Sequence, residues 1–426
     1  MVDVAVAQRR ATSQAGLGRA WLRSRAGTLL DRLVVIWVVS GAFVATEPSP
    51  YELTFILVLA LAMLGGFGLH RSTLGLLLLL TCFIPFGLIA AFQVKYTPLG
   101  ESLVYLAVTI FLLFTAYFVA NFVADAPQRR IRLVVWAYIA AAALSALAGL
   151  MGYLDLVPGA NALTLYGRAK ALFKDPNVYG PFLVLPAMYL LQRVLLATGR
   201  RQLLAGALFG LLFVGVFVSF SRAAWGHLAA SGVLVFVLVF IFEAQTRDRV
   251  RMILVGMAGA LALLIALAGL LAIPQVGELF ETRASAQSYD EGATGRFGRQ
   301  AFAFDLALSH PLGLGPLEFR NTRVKEEPHN TYVNVFLSYG WGGGLAMVLL
   351  IATTIWRGAR FVVRPSPNRL LLIPLISTFG ILSIEAAIID LDHWRHFYLL
   401  AGLIWGVTAA YQRVEAEESK RLPTPV

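Results

Sequence analysis

Residues 74–91 read LGLLLLLTCFIPFGLIAA, an apolar run without one charged side chain. A bilayer hydrocarbon core about 30 Å thick takes about 20 apolar residues of α-helix, so a run of this length reads as a membrane span. Similar runs recur near residues 33–46, 53–69, 103–123, 133–151, 179–195, 203–218, 224–242, 252–272, 331–355, 370–389 and 397–411. They are continuous and rich in Leu, Ala and Val rather than alternating, which excludes a β-barrel. The expected fold is all-α, a polytopic membrane protein with about twelve transmembrane helices at about 20 residues each.

Composition agrees. Hydrophobic residues make up 58% of the chain and charged residues 14%, against about a quarter charged in soluble domains. The formal charge of +11 does not point to nucleic acid, because the basic residues gather in short segments between apolar runs, such as Arg129-Arg130-Arg132, Arg200-Arg201 and Arg247-Arg249-Arg251. That is the positive-inside pattern, and it places both termini in the cytoplasm. The first 30 residues hold five arginines and no apolar core before Leu33, so residues 1–27 read as a retained cytoplasmic tail rather than a signal peptide. Residues 28–426 then form a single membrane domain with a large periplasmic loop at 274–330. The single cysteine, Cys82, supports no disulfide and reads as a small buried hydrophobe.

The loop Pro274–Asn330 is where a chain this apolar has room for chemistry. It carries Arg283, Arg296, Arg299, Arg320, Arg323 and Lys325 and ends on His329-Asn330 at the start of an apolar run. Its segment Phe297–Leu308 has apolar residues spaced for an amphipathic helix. A histidine at such a helix start suits proton abstraction from a hydroxyl; a helix-capping histidine above a glycine seam at Gly340 and Gly343 is the plainer alternative. Upstream, Gly167-Arg168-Ala-Lys170 precedes Asp175-Pro176-Asn177, where Pro starts a helix and Arg168 and Lys170 suit phosphate. Ser219-Phe220-Ser221-Arg222 is a turn between two spans, so Arg222 sits at the membrane edge, where a charge is functional by default or snorkels to the interface. Arg296 and Arg299, three apart, share a helix face. Asp390-Leu-Asp392-His393 is weak evidence for a metal, and Glu385 falls inside a span with no evident partner.

In this order and on one membrane face, these segments resemble the O-antigen ligase / O-antigen polymerase superfamily of GT-C type membrane glycosyltransferases. The resemblance is carried by Gly167-Arg168 with Asp175-Pro176-Asn177, Ser219-Phe-Ser221-Arg222, His310-Pro311-Leu-Gly313-Leu-Gly315, and His329-Asn330 with Gly340 and Gly343. It covers the chain best from about Ala160 to Leu350. The resemblance implies an inverting, metal-independent transfer at the periplasmic face of the bacterial inner membrane, with no cofactor. An undecaprenyl-diphosphate-linked glycan would be the donor and a sugar hydroxyl the acceptor. His329 would be the general base and Arg168 and Arg222 the diphosphate ligands, with Arg299, Arg296 and Lys170 assisting and Asn330, Gly340, Gly343, Asp175 and Asn177 in support. Repeat-unit polymerisation is the favoured reading, and ligation to lipid A–core the alternative. A secondary transporter is disfavoured because the unusual charges crowd one membrane face instead of the midplane.

Overall fold

The computed structural model describes residues 26–46, 48–285, 292–323 and 325–421. Most of the expected tail at 1–27 lies outside the described residues. Helices run as α1 (26–40), α2 (Pro50–Gly65), α3 (Leu74–Ala91), α4 (Leu99–Asp125), α5 (Pro127–Tyr153), α6 (Pro176–Phe182), α7 (Val184–Leu196), α8 (Gly199–Val218), α9 (Arg222–Phe242) and α10 (Thr246–Leu271). The polar loop then folds as α11 (Pro274–Ala284) and α12 (Arg296–Ser309), and α13 (Thr331–Val362), α14 (Arg369–Glu385) and α15 (Arg395–Arg421) complete the chain. Eight helices among the described residues are long and apolar enough to cross a membrane. The chain is a polytopic, essentially all-α membrane protein. Every apolar run read from sequence falls on a helix, and the helix expected in Phe297–Leu308 is α12.

Local chemistry explains the boundaries that matter. Pro50, Pro127, Pro176 and Pro274 occupy first helical turns, where the missing N–H costs nothing. Ser49 and Glu52 form a capping box on α2, while Asp175, Ser221 and Asn330 cap α6, α9 and α13 by accepting from Asn177, Ala224 and Val333 backbone N–H groups. One small antiparallel pair is described, β1 (Thr164–Leu165) with β2 (Arg168–Ala169). Tyr166 and Gly167 both have positive φ at its turn, the two-residue hairpin geometry, and this turn delivers Arg168. Cys82 corrects expectation: it is exposed on α3, on a surface that meets lipid rather than core.

The bend in α13 shapes everything above the membrane. A Cβ on Gly358 would stand 2.6 Å from Ile376 of α14, and Thr331 N–H donates to Ala386 O just past α14 at 2.8 Å. Along α14, Ile376 and Ala386 are about 15 Å apart, whereas Thr331 and Gly358 would be about 40 Å apart on a straight helix at about 1.5 Å per residue. Both contacts are possible only if α13 folds sharply. It does so at Gly340, whose φ of 69° and ψ of −179° lie in a region essentially reserved for glycine. Thr331–Tyr339 is thereby turned away from the line of the longer, apolar second half of α13. The space left by the missing Cβ is filled by the Pro311–Gly313 backbone, with Leu312 C and Pro311 O 2.8 Å from where that Cβ would be. Gly342 admits the Phe86 ring of α3 in the same way, a Cβ there standing 2.4 Å from it, whereas a Cβ on Gly343 would meet Tyr339 of its own helix at 2.6 Å.

The polar loop is tied down by Glu318. Its carboxylate accepts from the backbone N–H groups of Lys95 (3.1 Å), Tyr96 (3.0 Å) and Thr97 (2.8 Å) ahead of α4. Burial raises its pKa, but the bonds from Thr97, Tyr96 and Lys95 outweigh that and hold the carboxyl below its ordinary range. The resulting stabilisation is present above the unfolded-state pKa and is lost as pH falls through the lower folded value. Glu318→Ala is expected to cost about 2 kcal/mol of stability at neutral pH. In thermal melts the gap to the parent should close under acid; an equal gap at all pH values would refute the assignment.

Candidate active site

An open cavity of about 770 Å³ lies between the β1–β2 turn, the α8–α9 turn, the α11–α12 segment and the ends of α13 and α14. Its basic side chains are Arg168, Arg222, Arg283, Arg296, Arg320 and Lys325, and Glu326, Glu327, Asp390 and His329 share the cavity with them.

Arg168 is buried and rigidly aimed. Its Nε–H donates to Ser219 O at 2.8 Å and an Nη2–H to Asn177 Oδ1 at 2.8 Å. These bonds join the sequence-distant segments Gly167–Asn177 and Ser219–Arg222 into one platform. Burial, with Arg283 nearby, lowers its pKa to about 10 against the opposing pull of Asp175, so it stays cationic at neutral pH. Asp175 caps α6 by accepting from Asn177 N–H at 2.6 Å, which holds Asn177 in place for Arg168. Arg222, Arg283 and Arg296 line the same cavity, and guanidinium groups gathered around one cavity suit a phosphate-bearing ligand.

His329 lines the same cavity, with a positive φ of 56°. Asp390 holds it at two points: its backbone N–H donates to Asp390 Oδ2 at 3.1 Å and its Nδ1 lies 3.2 Å from the same oxygen. Asn330 N–H donates to the other carboxylate oxygen at 3.1 Å, and Gln300 of α12 donates to His329 O at 2.8 Å. A carboxylate at Nδ1 assigns the proton there and leaves Nε2 as the acceptor. Nε2 is 4.0 Å from Glu326. Glu327 pairs with Arg320; burial, reinforced by Asp390, holds its carboxyl above the ordinary range despite Arg320.

Not every residue picked from sequence reaches the cavity. Arg168, Arg222, Arg296, Asp175, Asn177 and His329 line it. Lys170 does not: its ammonium donates to Phe173 O at 3.2 Å. Arg299 is buried beneath the lining, paired with Glu326, so it positions a lining carboxylate. Asn330 caps α13, and Gly340 and Gly343 shape it from outside the cavity. Sequence reading passed over Glu326 and Glu327 and weighed Asp390 only as a metal ligand, not as the partner of His329. Asp390 carried a signal, a carboxylate at the mouth of a span on the histidine's own side.

The Asp390-Leu-Asp392-His393 turn, considered for a metal, sends its side chains to three separate partners. Asp392 accepts from Tyr105 Oη at 3.0 Å, and His393 Nε2 is 2.9 Å from Thr109 Oγ1. Burial, then the charges of Arg395 and Lys174, pushes His393 down to about 3, so its ring is neutral. Glu385 also gains a partner, His227 Nδ1 at 2.9 Å.

The fold and the cavity define a polytopic helical membrane protein with a basic, histidine-bearing cavity. Residues 207–348 match a protein-family model described as O-antigen ligase. No curated protein matches the chain. The matched segment contains Arg222, Arg296, Arg299 and His329, whereas Arg168 and Asp390 are brought to the cavity from outside it.

Proposed function

We propose that this protein transfers a glycan from undecaprenyl diphosphate to a sugar hydroxyl at the periplasmic face of the inner membrane, crossing it about twelve times with both termini in the cytoplasm. The observation that carries this reading is the pairing, in one cavity, of the Asp390-held His329 with Arg168, Arg222, Arg283 and Arg296. His329 Nε2 takes the proton of the acceptor hydroxyl as its oxygen attacks the anomeric carbon. The bond from that carbon to the phosphate oxygen breaks, the diphosphate leaves with the electron pair, and the anomeric configuration inverts. Developing charge on the leaving phosphate is met by guanidinium groups already in position, the largest kind of catalytic contribution in such chemistry.

Polymerisation and ligation share this step and differ in acceptor. A second lipid-linked repeat unit makes the chain a polymerase, the reading carried from its sequence. Ligation, the activity in the matched family's description, is the second reading, with lipid A–core as the acceptor. Reconstitution in liposomes with undecaprenyl-diphosphate-linked repeats tests both. A product ladder without lipid A–core identifies a polymerase, and product only with it identifies a ligase. Movement of intact lipid with no new glycosidic bond would sink the proposal.

Arg222→Lys keeps the charge but loses the planar fork that binds two phosphate oxygens together. Turnover is expected to fall about tenfold or more in the same assay, the equivalent of about 1.4 kcal/mol. Parent-level turnover would reduce Arg222 to an interfacial anchor.

A further inference from the structure

Helix α12 has two faces of opposite use. Arg299, Ala303 and Ala307, four residues apart, are buried. On the opposite side Phe297, Phe304 and Leu308 are 57%, 52% and 55% exposed, and Leu312 just beyond is 55% exposed. Four large apolar side chains in one outward stripe are more than a water-facing helix normally shows.

That stripe continues onto a surface that is already a lipid contact. Trp341 joins α12 to the second half of α13: its Nε1–H donates to Ala307 O at 2.8 Å and its backbone N–H to Pro311 O at 2.9 Å. Below it, Trp341, Leu345 and Leu349 are exposed at four-residue spacing along a helix long and apolar enough to cross the membrane. The depth follows from length. Arg357, Arg360 and Arg364 with Trp356 mark one end of the crossing, and Arg360 is twenty residues, about 30 Å, from Gly340. This is about the thickness of the hydrocarbon core. Trp341 therefore stands at the outer interface, where tryptophan concentrates, and α12 departs from that level.

We propose that α12 lies in the outer membrane–water interface, with Phe297, Phe304, Leu308 and Leu312 seated at the acyl-chain boundary and lipid as the partner of this face. Its inner face then holds the cavity at a set height. Arg299 pairs with Glu326, Gln300 bonds His329 O, and Arg296 lines the cavity. The bilayer thereby becomes part of the scaffold that positions His329. The seat is independent of the transferred group, so its test needs no glycan.

The full chain, with Cys82→Ala and a single nitroxide on cysteine at position 304, 308 or 305, is reconstituted in phosphatidylglycerol–phosphatidylethanolamine bilayers. Collision with oxygen and with a water-soluble nickel chelate gives depth. Labels at 304 and 308 are expected to favour oxygen, about 5–10 Å below the headgroups, with the label at 305 favouring the chelate. Chelate access at 304 and 308 equal to that at 305 would overturn the proposal. So would exclusion of both reagents with spin–spin broadening, which means a second copy covers the face. A diazirine phospholipid used with the unsubstituted chain guards against misfolded variants: adducts within residues 297–312 support the seat, and their absence while α13 is labelled refutes it.

Discussion

Replacing His329 with alanine is expected to lower glycan transfer by about a hundredfold to ten-thousandfold, the range general-base catalysis supplies. The chain should still insert and fold, because the anchors at this position are backbone groups: the N–H to Asp390 and the C=O from Gln300. The positive φ of His329 makes alanine slightly strained there, whereas asparagine tolerates that conformation. His329→Asn should therefore be equally inactive and fold at least as well. Glycan yield and length are measured in reconstituted liposomes, with donor binding followed separately by displacement of labelled lipid diphosphate. Retained binding with lost turnover is expected. Unchanged product in either variant would remove His329 from the chemistry.

Asp390→Asn should be nearly as damaging, though it alters one heavy atom of a residue that the sequence marked only as a weak metal ligand. The carboxylate accepts two backbone N–H groups and faces the Nδ1 of His329. An amide retains one acceptor oxygen and offers an NH2 group that only donates. Turned toward Nδ1, that group favours the tautomer protonated on Nε2, and the base is silenced. A loss of about a hundredfold or more in kcat is expected, since a histidine in the wrong tautomer keeps its geometry but not its function. The Michaelis constant for the donor should stay near the parent value, because Asp390 is remote in role from the cavity's arginines. A parallel fall in binding and stability would instead make Asp390 a purely structural tie for the Thr331 end of α13.

The helices were legible because hydropathy along a chain is a local property: eighteen or more apolar residues announce a span whatever their neighbours do. His329, Arg168, Arg222 and Arg296 were legible for a related reason. Charge and imidazole at the edges of apolar runs are costly unless used, so each stood out without reference to any other residue. Lys170 and Arg299 stood out equally, yet one bonds a neighbouring carbonyl and the other is buried against Glu326. Type and position alone do not say where a long side chain turns.

The amino-acid sequence by itself determined a polytopic helical membrane protein, the polar loop that helps to line its cavity, and the amphipathic helix within that loop. Only the tertiary structure decided that Asp390, sixty-one residues downstream, is the group that holds His329, and that Arg168 and Arg222 share a cavity through Ser219. It also decided that Gly340 is a fold point filled by the Pro311–Gly313 backbone rather than a lipid seam. The physical reason is common to all three. Each depends on a hydrogen bond or a steric gap between segments far apart in the chain, and such contacts are set by how the helices pack, which no local pattern of residues records.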